Sequence, residues 1–302
     1  MNIFLCDPVD DSIKTHFQEK DGFSVESVHE ESELKKRVEE AHVWVVRSGT
    51  TVDRNLLEEA TNLVGIVRAG VGLDNIDLDA AEDQGVRVEN TPEASTNAVA
   101  ELVIGHILSV YRSIPKADRE LRKGNWIKKQ IDGREIQNKT VGIIGFGRIG
   151  QRIGDILTAF GAKILAFDVY LSDEQIEDGG GEPVDLDQLI GESDIISVHV
   201  PLNPETRGMI GEQELAQCGD ETILINCARG GIIDEEALVE AIDQNRVFGA
   251  GLDTFVEEPP ASDGVVASPS VVSTPHIGAT TREAQQRIAQ LVIDKIEDIS
   301  GS

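Results

Sequence analysis

The residues best equipped for chemistry fall into two groups. The first is Gly145-Phe146-Gly147-Arg148-Ile149-Gly150, which follows the apolar run Val141–Ile144 and opens a helical pattern. Glycines at this spacing suit a tight turn at Gly145, close backbone approach to a pyrophosphate at Gly147, and close helix–strand packing at Gly150. The helix N-terminus then faces the phosphate charge. Asp168 ends the next β-rich run, 18 residues beyond Gly150. There a carboxylate can bind both hydroxyls of a ribose and repel a 2′-phosphate, and Val169-Tyr170-Leu171 beside it provide no arginine for such a phosphate. NAD is expected as the cofactor rather than NADP. The second group lies on later loops: Arg229 in Asn226-Cys227-Ala228-Arg229-Gly230-Gly231, Asp253 and Glu258 after Gly249–Leu252, and His276 in Thr274-Pro275-His276-Ile277-Gly278. Dinucleotide-linked oxidation needs an acid/base for a hydroxyl and a cation for a carboxylate or carbonyl. In open α/β sheets such groups sit beyond the carboxyl ends of the strands.

Short β-rich runs alternate with helical patterns, which predicts an α/β fold with parallel sheets. A first set, Ile3–Cys6, Val43–Val46, Leu63–Val67 and Val86–Val88, is separated by acidic amphipathic segments such as Glu33–Ala41 and reads as a small α/β unit. A second set, Thr140–Ile144, Lys163–Phe167, Ile195–Val200, Thr222–Asn226, Gly249–Leu252 and Val271–Ser273, matches the six strands of a doubly wound dinucleotide-binding sheet. Between them a helix runs from near Asn97 to Tyr111, apolar over so wide an arc that burial between domains or against another subunit is expected, making it the candidate dimer interface. Helices are also predicted at Asp234–Asn245 and Thr281–Ile299, the latter crossing back to cover the first unit.

The chain has 302 residues with 27 Lys and Arg against 55 Asp and Glu, a formal net charge of −28. So negative a surface repels nucleic-acid and lipid phosphates, and no basic patch offsets it, so neither nucleic-acid nor membrane binding is expected. No apolar stretch is long enough to span a bilayer, and the N-terminus lacks the pattern of a signal peptide. Three scattered cysteines, Cys6, Cys218 and Cys227, fit a reducing cytoplasm and neither a disulfide framework nor a metal site. The charge exceeds what solubility requires and points to a protein adapted to high salt, where screening relieves self-repulsion.

Together these residues resemble the D-isomer-specific 2-hydroxyacid dehydrogenases. The resemblance runs the length of the chain: Val46-Arg47-Ser48, Arg68-Ala69-Gly70-Val71-Gly72-Leu73-Asp74, Asn90-Thr91-Pro92, the glycine motif, His199-Val200-Pro201-Leu202 with Thr206, Asn226 to Gly230, Asp253-Thr254-Phe255, Glu258-Pro259 and Pro275-His276-Ile277-Gly278. It implies two doubly wound parallel-sheet domains: a smaller flavodoxin-like substrate domain, 1–96 plus 280–302, and a Rossmann NAD domain, 97–279. It also implies a triad of Arg229, Glu258 and His276. His276 would exchange the hydroxyl proton, Glu258 would hold its imidazole, and Arg229 would bind the substrate carboxylate, for which a planar fork suits better than lysine. Asp253 would meet the nicotinamide carboxamide. Arg148, Ile149, Pro201, Thr206, Cys227, Ala228 and Gly278 would complete the cofactor cleft, and Arg47, Ser48, Ala69, Gly70 and Val71 would surround the small anionic acid.

Lys128 and Lys129, after Gly124-Asn125-Trp126, match a basic stretch that reaches a phosphate in the phosphoglycerate-oxidising branch of the family; the alternative is that they are solvated. The expected substrate is therefore 3-phospho-D-glycerate, acted on by a homodimer whose chain stops short of any regulatory domain. Glyoxylate or hydroxypyruvate reduction is the enzyme alternative, and an NADH-sensing corepressor-like protein the non-enzyme one. His16, His29, His42 and His106 lie in helical or surface patterns with no partner set and read as structural, as does His199 at a strand end. Glu257 competes with Glu258, and the Glu-Pro match decides for Glu258.

Overall fold

Runs of β-branched residues flanked by polar turns become the strands of two parallel sheets. The computed structural model describes Met1 to Gly301 and divides into two compact units, one from Met1 to Ser95 together with the segment from Ala279 onward, the other Thr96–Gly278. The first carries β1 (Asn2–Leu5), β2 (Ser24–Ser27), β3 (Val43–Val46), β4 (Gly65–Arg68) and β5 (Arg87–Asn90), all parallel, in the order β2-β1-β3-β4-β5. That is the flavodoxin-like order, with its crevice where β1 and β3 diverge. All four residues of central β3 are buried, as a strand covered on both faces requires. The helix Arg282–Ser300, whose cap Thr281 accepts the Ala284 N–H, lays Ile288, Ala289, Val292, Ile293 and Ile296 against Ile3, Leu5, Val43, Val45 and Val67. The last helix therefore belongs to the first unit's core.

Two details go beyond the sequence pattern. β2 was not expected, because only Val25 of its four residues is buried; an edge strand needs little apolar content when backbone pairing to β1 defines it. The amphipathic segment Glu33–Ala41 is divided between the helix Glu31–Lys36 and a short 3₁₀ turn, Val38–Glu40. At the break Arg37 ion-pairs with Glu26, Glu33 and Glu40, gathering three carboxylates around one cation.

The second unit carries β6 (Thr140–Ile144), β7 (Lys163–Phe167), β8 (Glu182–Pro183), β9 (Ile195–Val198), β10 (Ile223–Asn226), β11 (Gly249–Leu252) and β12 (Val271–Ser273). They form a seven-stranded parallel sheet, β12-β11-β10-β9-β6-β7-β8. The short edge strand β8 escaped the sequence reading because it is two residues long and ends in proline. The chain winds outward in opposite directions from β6, so the switch point lies between β6 and β9, where such sheets bind dinucleotides.

The helix Thr96–Tyr111 corrects an expectation. Its apolar side, including Val99, Ala100, Val103, Ile107 and Tyr111, packs on Ile143, Ile223, Ile225 and the helix Arg148–Ala159 of its own unit. Gly249 and Gly251 of β11 give it room: a Cβ on Gly251 would lie 2.6 Å from the His106 Cβ. Its own sheet thus covers the wide apolar arc that the sequence pattern assigns to a dimer interface. No helix among the described residues is long and apolar enough to cross a membrane.

Candidate active site

In the second unit the loop after β6 fits the chemistry of a dinucleotide cradle glycine by glycine. Gly145 has φ +89°, and a Cβ there would come within 2.6 Å of the His199 carbonyl oxygen. A Cβ on Gly150 would lie 2.3 Å from the Gly145 carbonyl oxygen, so the loop and the helix can pack only without one. Gly147 differs: it caps the helix Arg148–Ala159, and a Cβ there would meet no protein atom within 4 Å. Protein packing demands the outer two glycines. The middle one leaves the first-turn amides of Arg148 and Ile149 accessible to an anion. Asp168 is tied directly to this loop, its Oδ2 accepting the Phe146 N–H at 2.8 Å and its Oδ1 the Tyr170 N–H at 2.8 Å. Oδ1 also accepts the Leu171 N–H at 3.2 Å, so Oδ2, with one donor, is the oxygen that keeps acceptor capacity for a hydroxyl group. Beyond β9, Thr206 donates to the Pro201 carbonyl at 2.6 Å, which joins those two expected residues. His199 lies above Gly145 with its ring against Ser197, and burial pushes its imidazole down to about 3, which leaves it neutral.

The chemical groups lie on three adjacent loops at the carboxyl edge of β10, β11 and β12. His276 Nδ1 is 2.8 Å from Glu258 Oε2. Glu258 Oε1 accepts the Phe255 N–H at 3.2 Å, so both carboxylate oxygens are engaged and the group is oriented. With Nδ1–H donated to the carboxylate, His276 Nε2 is the nitrogen left to take or give a proton. His276 stands at φ +51°, a left-handed conformation unusual for a residue with a side chain, and its N–H donates to the Asp253 carbonyl at 2.8 Å. Arg229 follows β10, with Nη1 donating to the Ala228 carbonyl at 2.7 Å and its own carbonyl accepting from Asn226 Nδ2 at 2.8 Å. Gly230 makes this possible, since a Cβ there would overlap the Phe255 carbonyl at 1.9 Å, locking the Arg229 loop onto the loop that leads to Glu258. Cys227 is buried, and burial and the nearby Asp253 hold its thiol far above the usual range, which leaves it a neutral packing group contributing only backbone.

Asp253, expected at the nicotinamide, is 0% exposed. Its carboxylate is engaged by the Thr274 hydroxyl at 2.5 Å and by the N–H groups of Ile277 and Gly278 at 2.8 Å each. In this structure it holds the His276 loop. Thr274 also lies 3.0 Å from Nε2 of His106, which the sequence pattern reads as structural because it shows no partner set. Nothing in local spacing links positions 106 and 274.

The expected substrate loops lie in the first unit at the carboxyl ends of β3 and β4. Asp7 accepts the N–H groups of Arg47 at 2.5 Å and Thr50 at 3.2 Å, and Asn75 donates to the carbonyls of Arg47 and Thr50, fixing the Arg47-Ser48 turn. The Ala69 side chain is committed to the core, so only its backbone faces the loop. At Gly70, φ is +154°, and a Cβ would collide with Arg68 Nη1. Arg68 therefore folds over Gly70, a cation that is not among the expected substrate contacts. Lys128 is exposed in the 3₁₀ turn Lys128–Gln130 of the second unit, as is Lys129.

Residues 104–278 match the family model described as the NAD binding domain of the D-isomer specific 2-hydroxyacid dehydrogenases. The chain belongs to that family of NAD-dependent oxidoreductases, and the second unit is its NAD-binding domain. It is 42% identical over 301 residues to a D-3-phosphoglycerate dehydrogenase of Methanocaldococcus jannaschii, covering 99% of this chain but 57% of that protein. It is 44% identical over 298 residues to a hydroxypyruvate reductase of Thermotoga maritima, covering 97% of this chain and 96% of that one. Among solved structures, a D-lactate dehydrogenase of Aquifex aeolicus complexed with NAD and lactic acid superposes with a TM-score of 0.90 at 29% identity, over 100% of this chain and 96% of that one. The chain thus spans little more than half of the phosphoglycerate dehydrogenase it matches and nearly all of the reductase.

Proposed function

We propose that the protein is a cytoplasmic enzyme that interconverts a D-2-hydroxy acid and its 2-oxo acid, with 3-phospho-D-glycerate as the substrate. The observation that carries the reaction type is the His276–Glu258 pair at 2.8 Å beside the strand ends of a dinucleotide sheet. NAD, when bound, supplies the hydride acceptor. The Arg148 and Ile149 amides would receive its pyrophosphate, Asp168 would hold its adenosine ribose, and Pro201 and Thr206 would flank the adenosine half. The backbones of Cys227, Ala228 and Gly278 would complete the cleft. His276 Nε2 takes the hydroxyl proton during oxidation, and Glu258 stabilises the imidazolium that results. Arg229 holds the substrate carboxylate and polarises the carbonyl that forms. Arg47 and Ser48, with the backbone of Ala69, Gly70 and Val71, bind the remainder of the acid, and Lys128 takes the phosphate. In a chain of charge −28 a multiply charged anion needs such local cations to be retained.

Hydroxypyruvate or glyoxylate reduction is the second reading, favoured by the reductase matched along nearly its full length. A purely NADH-sensing role is disfavoured by the oriented His276–Glu258 pair, which binding alone does not require. A substrate panel in molar KCl separates the readings. We expect kcat/KM for 3-phospho-D-glycerate to exceed that for D-glycerate by about 10- to 100-fold, the worth of one or two charge-assisted hydrogen bonds, and Lys128→Ala to erase most of that preference. Brisk hydroxypyruvate reduction without phosphoglycerate oxidation would reject the substrate while keeping the reaction. We also infer a homodimer: the helix Ile114–Arg122 buries none of its residues, and Ile114, Leu121 and Trp126, the last 79% exposed, stand in solvent.

A further inference from the structure

The helix Thr96–Tyr111 presents an almost wholly apolar side to the sheet, yet His106 interrupts it at 2% exposure. An imidazole buried there loses water on both nitrogens, a cost that a leucine of similar bulk would avoid. Its ring packs directly on Gly251, where a Cβ would lie 3.0 Å from Nδ1. Nδ1 has no hydrogen-bond partner, whereas Nε2 is 3.0 Å from the Thr274 hydroxyl oxygen.

The proton directions follow from the donor inventory. Thr274 owns one hydroxyl proton, and at 2.5 Å it goes to Asp253 Oδ1, a carboxylate oxygen that can only accept. The Thr274 oxygen must therefore accept from His106, which makes Nε2 the protonated nitrogen and leaves Nδ1 a bare acceptor. Burial lowers the His106 pKa, with the Asp253 charge acting the other way, so the neutral tautomer suffices for this chain. Next in line, Asp253 accepts the N–H groups of Ile277 and Gly278, and its backbone carbonyl accepts that of His276. Three consecutive amides around the left-handed His276 thus end on one residue.

We infer that His106 is a positioning residue: by donating to Thr274 it fixes the hydroxyl on Asp253, and the fixed carboxylate holds the turn that presents His276. The effect on turnover rests on the proposed acid/base role of His276; the effect on the turn does not. His106→Leu keeps the bulk and removes the donor, His106→Gln restores a donor, and Thr274→Val removes the hydroxyl at constant shape. His106→Leu is expected to lower kcat about tenfold with NADH affinity within about twofold, and His106→Gln to recover most of it. The double variant His106→Leu/Thr274→Val should be no slower than Thr274→Val alone, since both break one chain.

Amide hydrogen exchange reads the turn without using activity. In His106→Leu, exchange at Ile277 and Gly278 should accelerate about tenfold while Leu224 and Ile225 of β10 keep their protection. Equal losses in the Leu and Gln variants, additive effects in the double variant, or acceleration spread equally over β10 would assign His106 to packing and overturn the proposal. So would unchanged exchange at the turn. His276→Ala run in parallel keeps the two readings apart: turnover surviving in that variant removes the role of His276, whereas turnover lost there but intact in His106→Leu removes only the role of His106.

Discussion

Replacing Glu258 with glutamine is the most informative perturbation of the pair. The carboxylate accepts from two donors, His276 Nδ1 at 2.8 Å and the Phe255 N–H at 3.2 Å. Glutamine has one acceptor oxygen, so its NH₂ must confront one of those donors, and the negative charge opposite the imidazolium disappears. Two unit charges about 4 Å apart interact by about 1 kcal/mol in water and about 4 kcal/mol near a protein surface. With the side chains of His276 and Glu258 32% and 38% exposed, solvent screening reduces the figure to about 2 kcal/mol. That corresponds to a fall of about 30-fold in kcat for oxidation, where the imidazolium must form. Steady-state rates at saturating NAD, with NADH affinity from its fluorescence, make the assay. The loss should persist in molar KCl, because the two groups are in direct contact at 2.8 Å and no screening ion can pass between them. A fall of less than threefold, or a loss explained by weaker NADH binding, would show that the carboxylate does not support proton transfer.

Other perturbations probe the cofactor loop and the surface. Asp168→Asn keeps an oxygen for the Phe146 N–H but removes the charge, and should raise KM for NAD about tenfold while improving the NADP to NAD ratio; an unchanged ratio would disconnect Asp168 from cofactor choice. Melting temperature should rise from low salt to molar KCl, since screening relaxes the repulsion within a charge of −28. A flat or falling curve would count against salt adaptation. Sedimentation equilibrium in the same high-salt buffer should return twice the chain mass of 32.7 kDa, and a monomer would leave Ile114, Leu121 and Trp126 without the proposed partner surface.

What could be read from the residues depended on how local the signal was. The glycine motif and Asp168 are legible because each glycine answers a local demand: a positive φ, an approach to a carbonyl, an open helix end. Central strands such as β3 and β10 declare themselves through unbroken apolar runs. Edge strands β2 and β8 do not, since backbone pairing rather than side-chain content defines them. The helix Thr96–Tyr111 was readable as buried but not as to what buries it, because an apolar arc has no address. The link from His106 through Thr274 to Asp253, and the fold of Arg68 over Gly70, lay beyond sequence reading for the same reason. They arise from packing between segments far apart in the chain or from one rotamer choice, neither of which leaves a spacing rule.

The central claim is that His276 moves the proton while the rest of the second unit holds NAD. Single-turnover hydride transfer in His276→Ala, followed at saturating cofactor beside an NADH titration, tests it. Transfer should fall about 10³-fold with NADH affinity nearly unchanged, the usual contribution of a positioned general acid/base. Transfer within tenfold of the original rate would contradict it.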